Sequence, residues 1–248
     1  MNAGIAICHY NRTAHLAEII EAVQRTTPHG SRIIVCDDGS RNQNEVRAIC
    51  ERAGVESVLA SNQGVTANKN RALSMLSDWH YLCLLEDDIM PVKPGWFENY
   101  FRVASQFDIN HFSWVFDRFS KSLDPNRDAQ IKRATGLTVK YSRHLGGQVT
   151  FLTTKVLRTV GGFNPAFRGC GFGHIEWSKR IWKAGLIAHP NRWIDLVECE
   201  WRPIGDREGG RLDESDRTAA EIKHNGEIFD RLLLDPRRPL YCPVVFLE

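Results

Sequence analysis

Apolar and polar positions alternate with two different periods over the first hundred residues, and the switching predicts strands and helices in strict succession. Residues 4–8, Gly-Ile-Ala-Ile-Cys, form a short β-like run that breaks at His9-Tyr10-Asn11-Arg12. Thr13 then caps a segment whose apolar residues Leu16, Ile19, Ile20 and Val23 recur at helical spacing. A turn over 28–31 leads to Arg32-Ile33-Ile34-Val35-Cys36, a second buried strand that ends in Asp37-Asp38-Gly39-Ser40. A helix over 44–53 with Val46, Ile49 and Cys50 inward, a strand over 55–60 and a helix over 66–76 follow. The apolar run from Tyr81 to Leu85 then stops at Glu86-Asp87-Asp88. A βαβαβαβ order of this kind predicts an α/β fold with a mostly parallel central sheet, right-handed crossovers and helices on both faces.

The second half alternates less regularly. Pro91 and Pro94 interrupt it, a helix is expected over 95–107, and strands are expected over 112–116, 138–141 and 148–152, with a polar turn over 124–127. A short helix over 154–160 precedes the turn Gly161-Gly162-Phe163-Asn164-Pro165. A glycine-rich loop over 168–173 then opens onto a helix from about His174 to Ala184, which Gly185 terminates. Beyond residue 186 the pattern predicts one strand pair, a polar loop over 202–217, a helix over 218–234 and a proline-rich tail.

Composition narrows the class. With 248 residues, 42% hydrophobic and 25% charged, the chain has the make-up of an ordinary globular protein able to bury a core. A net charge of +2 gives no global electrostatic case for nucleic acid or an acidic membrane surface. The seven cysteines are an odd number without a CxxC pair, and several lie inside apolar strand-like runs, as expected of reduced core thiols in a cytoplasmic protein. No run of 18 apolar residues occurs, and no basic region with a cleavage site precedes the first strand, so neither a transmembrane segment nor export is expected.

The candidate chemistry lies at the strand ends. Ligands of open α/β sheets bind beyond the carboxyl ends of the strands. Three adjacent carboxylates at 86–88 repel one another unless a cation or a donor network holds them. A divalent metal is the first expectation, and a solvated acidic turn is the plain alternative.

Four segments in register resemble the glycosyltransferases of family 2, whose fold is GT-A. Ile5-Ala6-Ile7-Cys8-His9-Tyr10-Asn11-Arg12 is similar to that family's first strand with its Tyr-Asn-Arg, and Val35-Cys36-Asp37-Asp38-Gly39-Ser40 to its Asp-Asp-Gly-Ser turn. Asn62-Gln63-Gly64-Val65 followed by Lys69-Asn70 resembles its Asn-x-Gly…Arg-Asn segment, with lysine in place of arginine. Leu85-Glu86-Asp87-Asp88 falls at its Asp-x-Asp metal motif, with Glu86 in place of the first aspartate. The resemblance spans roughly 3–100 and 145–187.

The resemblance implies a single GT-A domain over 1–248, with a Rossmann-like sheet and a small mixed subregion on the acceptor side. Residues 1–100 would bind a nucleotide sugar, 101–190 the acceptor, and 191–248 would form a variable extension. It further implies an inverting transferase that uses Mn2+ or Mg2+ and a nucleotide sugar, most simply UDP-linked. The acceptor would be a glycan, a lipid-linked glycan or another hydroxyl, with a nucleic acid base left open.

Donor contacts fall by resemblance on Cys8, Tyr10, Asn11, Asp38, Lys69, Arg71 and Asp87. Asp38 matches the base-recognising position, and Lys69, rather than Arg71, matches the basic one near the diphosphate. Asp88 matches the most direct metal ligand, while the extra methylene of Glu86 weakens its claim as the second. On the acceptor side stand Gly162, Phe163 and Gly173. The family's acidic pair is replaced here by Gly173-His174, so the general base is His174 or Glu176. Residues two apart on a helix point about 200° from one another, so the two cannot share the cleft, and Glu176 has Arg180 one turn away as a structural partner. A nucleotidyltransferase and a non-catalytic sugar-nucleotide or glycan binder are the rival readings; the first would want a glycine-rich basic loop after strand one, and His9-Tyr10-Asn11-Arg12 contains no glycine.

Overall fold

The computed structural model describes residues 2–115, 121–142, 146–169, 171–204, 216–234 and 241–243. Its first half runs β1 (Ala3–His9), α1 (Thr13–Thr26), β2 (Arg32–Asp37), α2 (Gln43–Ala53), β3 (Glu56–Leu59), α3 (Val65–Met75) and β4 (Tyr81–Glu86), the succession that the apolar periodicity predicts. Then follow β5 (Ile89–Pro91), α4 (Trp96–Phe107), β6 (His111–Ser113), α5 (Pro125–Thr135), β7 (Val139–Tyr141), β8 (Val149–Thr153), α6 (Thr154–Val160), α7 (Gly173–Lys183), β9 (Ile194–Leu196), β10 (Trp201–Pro203) and α8 (Asp216–Leu234).

Six strands form the main sheet in the order β3-β2-β1-β4-β8-β6. The first four are parallel, and β8 runs antiparallel to both β4 and β6. All seven residues of β1 are buried, as expected of a central parallel strand covered on both faces. The register sets His9 opposite Asp37 and Cys8 opposite both Cys36 and Glu86. The carboxyl ends of β1, β2 and β4 are therefore level, and the loops after them emerge side by side.

Among the described residues the core is one large cluster, with a smaller one of Phe167, Ile228 and Phe229. In the large cluster α1 buries Leu16, Ile19, Ile20 and Val23, and α4 sets Phe97 and Tyr100 edge-on or tilted against Phe151 of β8 at ring distances of 5.3 and 5.2 Å. The cysteines at 8, 36, 50, 83, 199 and 242 are unpaired, and no helix among the described residues is long and apolar enough to cross a membrane.

Three expectations need correction. The polar turn expected over 124–127 begins α5. Asp124 caps it by accepting from Arg127 N at 3.0 Å, and Pro125 occupies the first turn. Only Ile131 and Thr135 of α5 are buried, so no apolar stripe announces the helix. The strands expected to pair with each other beyond 186 pair elsewhere: β9 joins β7 and β10 joins β5, both antiparallel. The strand expected over 112–116 is the shorter β6, and Phe116 lies outside the described residues, as do 205–215 of the expected polar loop and 235–240 of the tail.

The Gly161-Gly162 turn serves as a docking edge. Cys242 N donates to Val160 O at 2.9 Å, and Gly162 N donates to Cys242 O at 2.9 Å. Gly161 has φ +71°, and a Cβ there would lie 1.7 Å from Cys242 O, so glycine is required twice over.

Candidate active site

The first cluster joins the ends of β1 and β2. His9 Nδ1 donates to Asp37 Oδ1 at 2.7 Å, and both residues are fully buried. Asp37 also accepts from Ser40 N at 2.9 Å, Gly39 N at 3.2 Å and Gln43 Nε2 at 2.9 Å. Burial alone would raise its pKa, but these donors outweigh it and hold the carboxyl well below the usual range. Asn11, with φ 58°, ties the two loops together: its N donates to Ser40 Oγ at 2.8 Å and its Oδ1 accepts from Arg41 N at 2.9 Å. The side chain of Tyr10 projects outward, 39% exposed.

Asp38 turns toward the amino end of α3. Its Oδ1 accepts from Gln63 N at 3.1 Å and its Oδ2 from Gly64 N at 2.7 Å, while Arg71 Nη1 stands 3.8 Å away and donates to Asn68 Oδ1 at 2.9 Å. Burial raises the Asp38 pKa against those donors. A carboxylate has about four lone-pair sites, and the backbone uses two here. Arg71, not Lys69, is the cation that α3 brings to this carboxylate.

The acid pair lies at the end of β4. Asp87 Oδ2 accepts from Tyr10 N at 2.7 Å and faces His9 Nε2 at 4.0 Å. Arg12 Nη1 lies 3.6 Å from Asp87 Oδ1 and 3.2 Å from Asp88 Oδ2. Asp88 Oδ1 is buried without a hydrogen-bond partner. Burial, with the Glu86 and Asp87 charges added, pushes the Asp88 carboxyl up to about 7 despite Arg12, and burial raises Asp87 as well.

Glu86 is held apart from that pair. The fully buried Lys69 ammonium donates to Glu86 Oε1, to Gly147 O at 2.9 Å and to Nε2 of His174. An ammonium carries three donors, and all three are committed, so Lys69 does not present itself to a diphosphate as expected. Burial disfavours the Glu86 charge, but Lys69 and His174 overcome it and hold its pKa well below the usual range. Burial and then the Lys69 charge bring His174 down to about 4, so the imidazole is neutral at pH 7. Gly147 permits this packing, since a Cβ there would come within 2.6 Å of the His174 ring.

On α7 the expectation for Glu176 is corrected. Its carboxylate takes Arg180 Nε at 2.9 and 3.1 Å, and Arg180 continues to Val160 O and Gly162 O, each at 2.6 Å. Both residues are 1% exposed, so Glu176 anchors α7 to the Gly161-Gly162 turn and does not face a cleft. The acceptor-side expectations change too. Phe163 is buried between Trp177 and His174, with ring distances of 4.3 and 5.0 Å, and its backbone exchanges two hydrogen bonds with Asn70. Gly162 and Gly173 are buried as well. Of these, Phe163 packs against the His174 ring, while Gly162 bonds Cys242 and Arg180. Cys8, also buried, lies beneath the site, with its thiol pushed up by burial.

The structure therefore brings Tyr10, Asp38, Arg71, Asp87 and Asp88 together at the strand ends, with the Lys69–Glu86–His174 cluster beside them. His9, Arg12, Asp37 and Asn70, which the sequence reading did not single out, join the functional or supporting groups. All four stand inside the quoted motifs, and that position was the available signal. The oxygen donors of Asp87 and Asp88 suit Mg2+ or Mn2+, and the orphaned Asp88 Oδ1 is a ready ligand atom. Among the described residues no group of three or more His, Cys, Asp or Glu is arranged to hold a metal. Two carboxylates still fit these ions, which are usually held by one or two carboxylates plus substrate phosphates.

The profile of glycosyl transferase family 2 matches residues 4–157, and the chain belongs to that family; its fold is GT-A. Solved structures with the same fold include the mannosyltransferase PcManGT from Pyrobaculum calidifontis in complex with GDP-Man and Mn2+, 15% identical with a TM-score of 0.55 over 73% of this chain and 51% of that one. GalNAc-T7 with UDP, GalNAc and Mn2+ is 13% identical with a TM-score of 0.64 over 92% of this chain and 48% of that one. The chain thus spans about half the length of these structures. No curated protein sequence matches it.

Proposed function

We propose that this glycosyltransferase moves a sugar from a uridine diphosphate donor to an acceptor hydroxyl with inversion, assisted by Mn2+ or Mg2+ at Asp87 and Asp88. The observation that carries the reading is the level set of strand ends, where one mouth gathers Asp38 with Arg71 and Asp87 with Asp88 and Arg12. Asp38 keeps lone pairs for the N–H of a uracil edge, Tyr10 offers an exposed ring to the base, and Arg71 and Arg12 supply cationic donors for ribose and phosphate oxygens. The two structural neighbours are complexes with Mn2+ and GDP-Man or UDP, which supports a nucleotide-sugar donor used with a divalent ion. A bound divalent ion would supply positive charge where the leaving diphosphate gains negative charge.

In an inverting displacement the acceptor oxygen bonds to the anomeric carbon as the bond to the diphosphate breaks, and the hydroxyl proton passes to a base on the opposite side. With Glu176 closed into its ion pair, His174 takes that role. Its Nε2 accepts from Lys69, so the proton transfer requires Lys69 to release that nitrogen. The test is incubation with UDP- and GDP-sugars and Mn2+, with detection of free nucleoside diphosphate. Release from UDP-sugars supports the reading, release from GDP-sugars alone overturns the choice of base, and no release from any nucleotide sugar overturns the donor class.

A further inference from the structure

Arg12 stands between the two carboxylates on which the metal reading rests. Its Nη1 lies 3.2 Å from Asp88 Oδ2 and 3.6 Å from Asp87 Oδ1. These acids are almost wholly buried, and Asp88 retains an unpartnered oxygen. The other nearby cation, Lys69, is saturated by Glu86, Gly147 and His174. A guanidinium and a divalent ion compete for the same carboxylate lone pairs and repel each other at that distance.

We propose that Arg12 is a resident counter-cation of the Asp87–Asp88 pair: it keeps the pair closed to metal in the nucleotide-free protein, and the diphosphate of an arriving donor draws it away. The second half of this inference rests on the nucleotide-sugar reading above. Guanidinium groups pair with phosphate as readily as with carboxylate. Arg12 is at the loop that opens α1, with its side chain 14% exposed, so it has solvent on one side to move into. Metal and nucleotide then enter together. This fits a protein whose described residues offer the ion two carboxylates and leave the remaining ligands to phosphate oxygens and water.

The test titrates Mn2+ into nucleotide-free wild type, Arg12→Gln and Arg12→Met, following free Mn2+ by electron paramagnetic resonance, and repeats the titration with UDP present. Without nucleotide, both variants are expected to bind Mn2+ at least roughly tenfold more tightly than wild type, equivalent to about 1.4 kcal/mol. UDP should raise the wild-type affinity more than that of either variant. In the absence of metal, both variants should bind UDP more weakly than wild type. The use of two neutral replacements keeps the test open if one of them folds poorly. Variants that bind Mn2+ no tighter than wild type overturn the proposal, as does absence of Mn2+ binding by all three proteins at millimolar concentration. A wild type that binds neither UDP nor GDP overturns the donor assignment, whereas tighter Mn2+ binding by the variants still upholds the counter-cation.

Discussion

The ammonium of Lys69 on α3 donates to Nε2 of His174 in the first turn of α7, and this bond joins α3 to the helix that carries the proposed base. It fixes the imidazole as acceptor at Nε2, which leaves the proton of the neutral ring on Nδ1. The same ammonium neutralises Glu86.

A pH profile follows from this bond. The neutral imidazole is the active form, so with donor and metal saturating, where the ion holds Asp88 as carboxylate, kcat should stay level above the imidazole pKa and fall as the pH drops through about 4. Lys69→Met removes a cation that disfavours imidazolium and leaves the Glu86 carboxylate that favours it. The acid limb should then move upward, toward the unperturbed value of ~6.5. His174→Ala should lose about 100-fold or more in kcat with either protein as background. Full activity in His174→Ala, or an acid limb that stays in place in Lys69→Met, contradicts the assignment.

The Glu176–Arg180 pair predicts a stability effect without a matching catalytic one. Breaking a buried pair by removing one partner typically costs about 3–5 kcal/mol, although Arg180 would keep its carbonyl acceptors at Val160 and Gly162. Urea denaturation of Glu176→Gln should show a loss of that order, while kcat per folded molecule stays within about threefold of wild type. A stable Glu176→Gln protein that has lost turnover would restore Glu176 as the base.

Asp38 is expected to select the base. Asp38→Ala should weaken UDP binding by about 1–3 kcal/mol, the range for a hydrogen bond to a charged acceptor, and should weaken GDP binding less. Calorimetric titration with both nucleotides decides the matter. Equal losses would show that Asp38 acts only through the Gln63 and Gly64 amides that it holds.

The parallel half of the fold was legible because β1, β2 and β4 are largely buried and the first two helices carry a clear apolar stripe, as in Leu16, Ile19, Ile20 and Val23 of α1. The second half was not, for identifiable reasons. The helix α5 buries only Ile131 and Thr135, and β5, β6, β7, β9 and β10 have three residues each, too few for a period to show. At the site, motif order located the acids at 37–38 and 86–88. It did not reveal which acid is held by which cation, because that depends on contacts between residues far apart in the chain. Lys69 meets Glu86, Gly147 and His174 across separations of 17, 78 and 105 residues. The i,i+4 pair of Glu176 and Arg180 was visible from spacing alone.

If the acids at the end of β4 serve transfer from a nucleotide sugar, Asp88 with its orphaned Oδ1 is the residue on which turnover depends most. Release of UDP from UDP-sugars should be measured with Mn2+, with EDTA, and in Asp88→Asn, which preserves the shape of the side chain and removes its charge. Release is expected with Mn2+, little in EDTA, and a fall of about 100-fold or more in Asp88→Asn. Undiminished release in EDTA together with wild-type rates in Asp88→Asn would contradict this role of the acids.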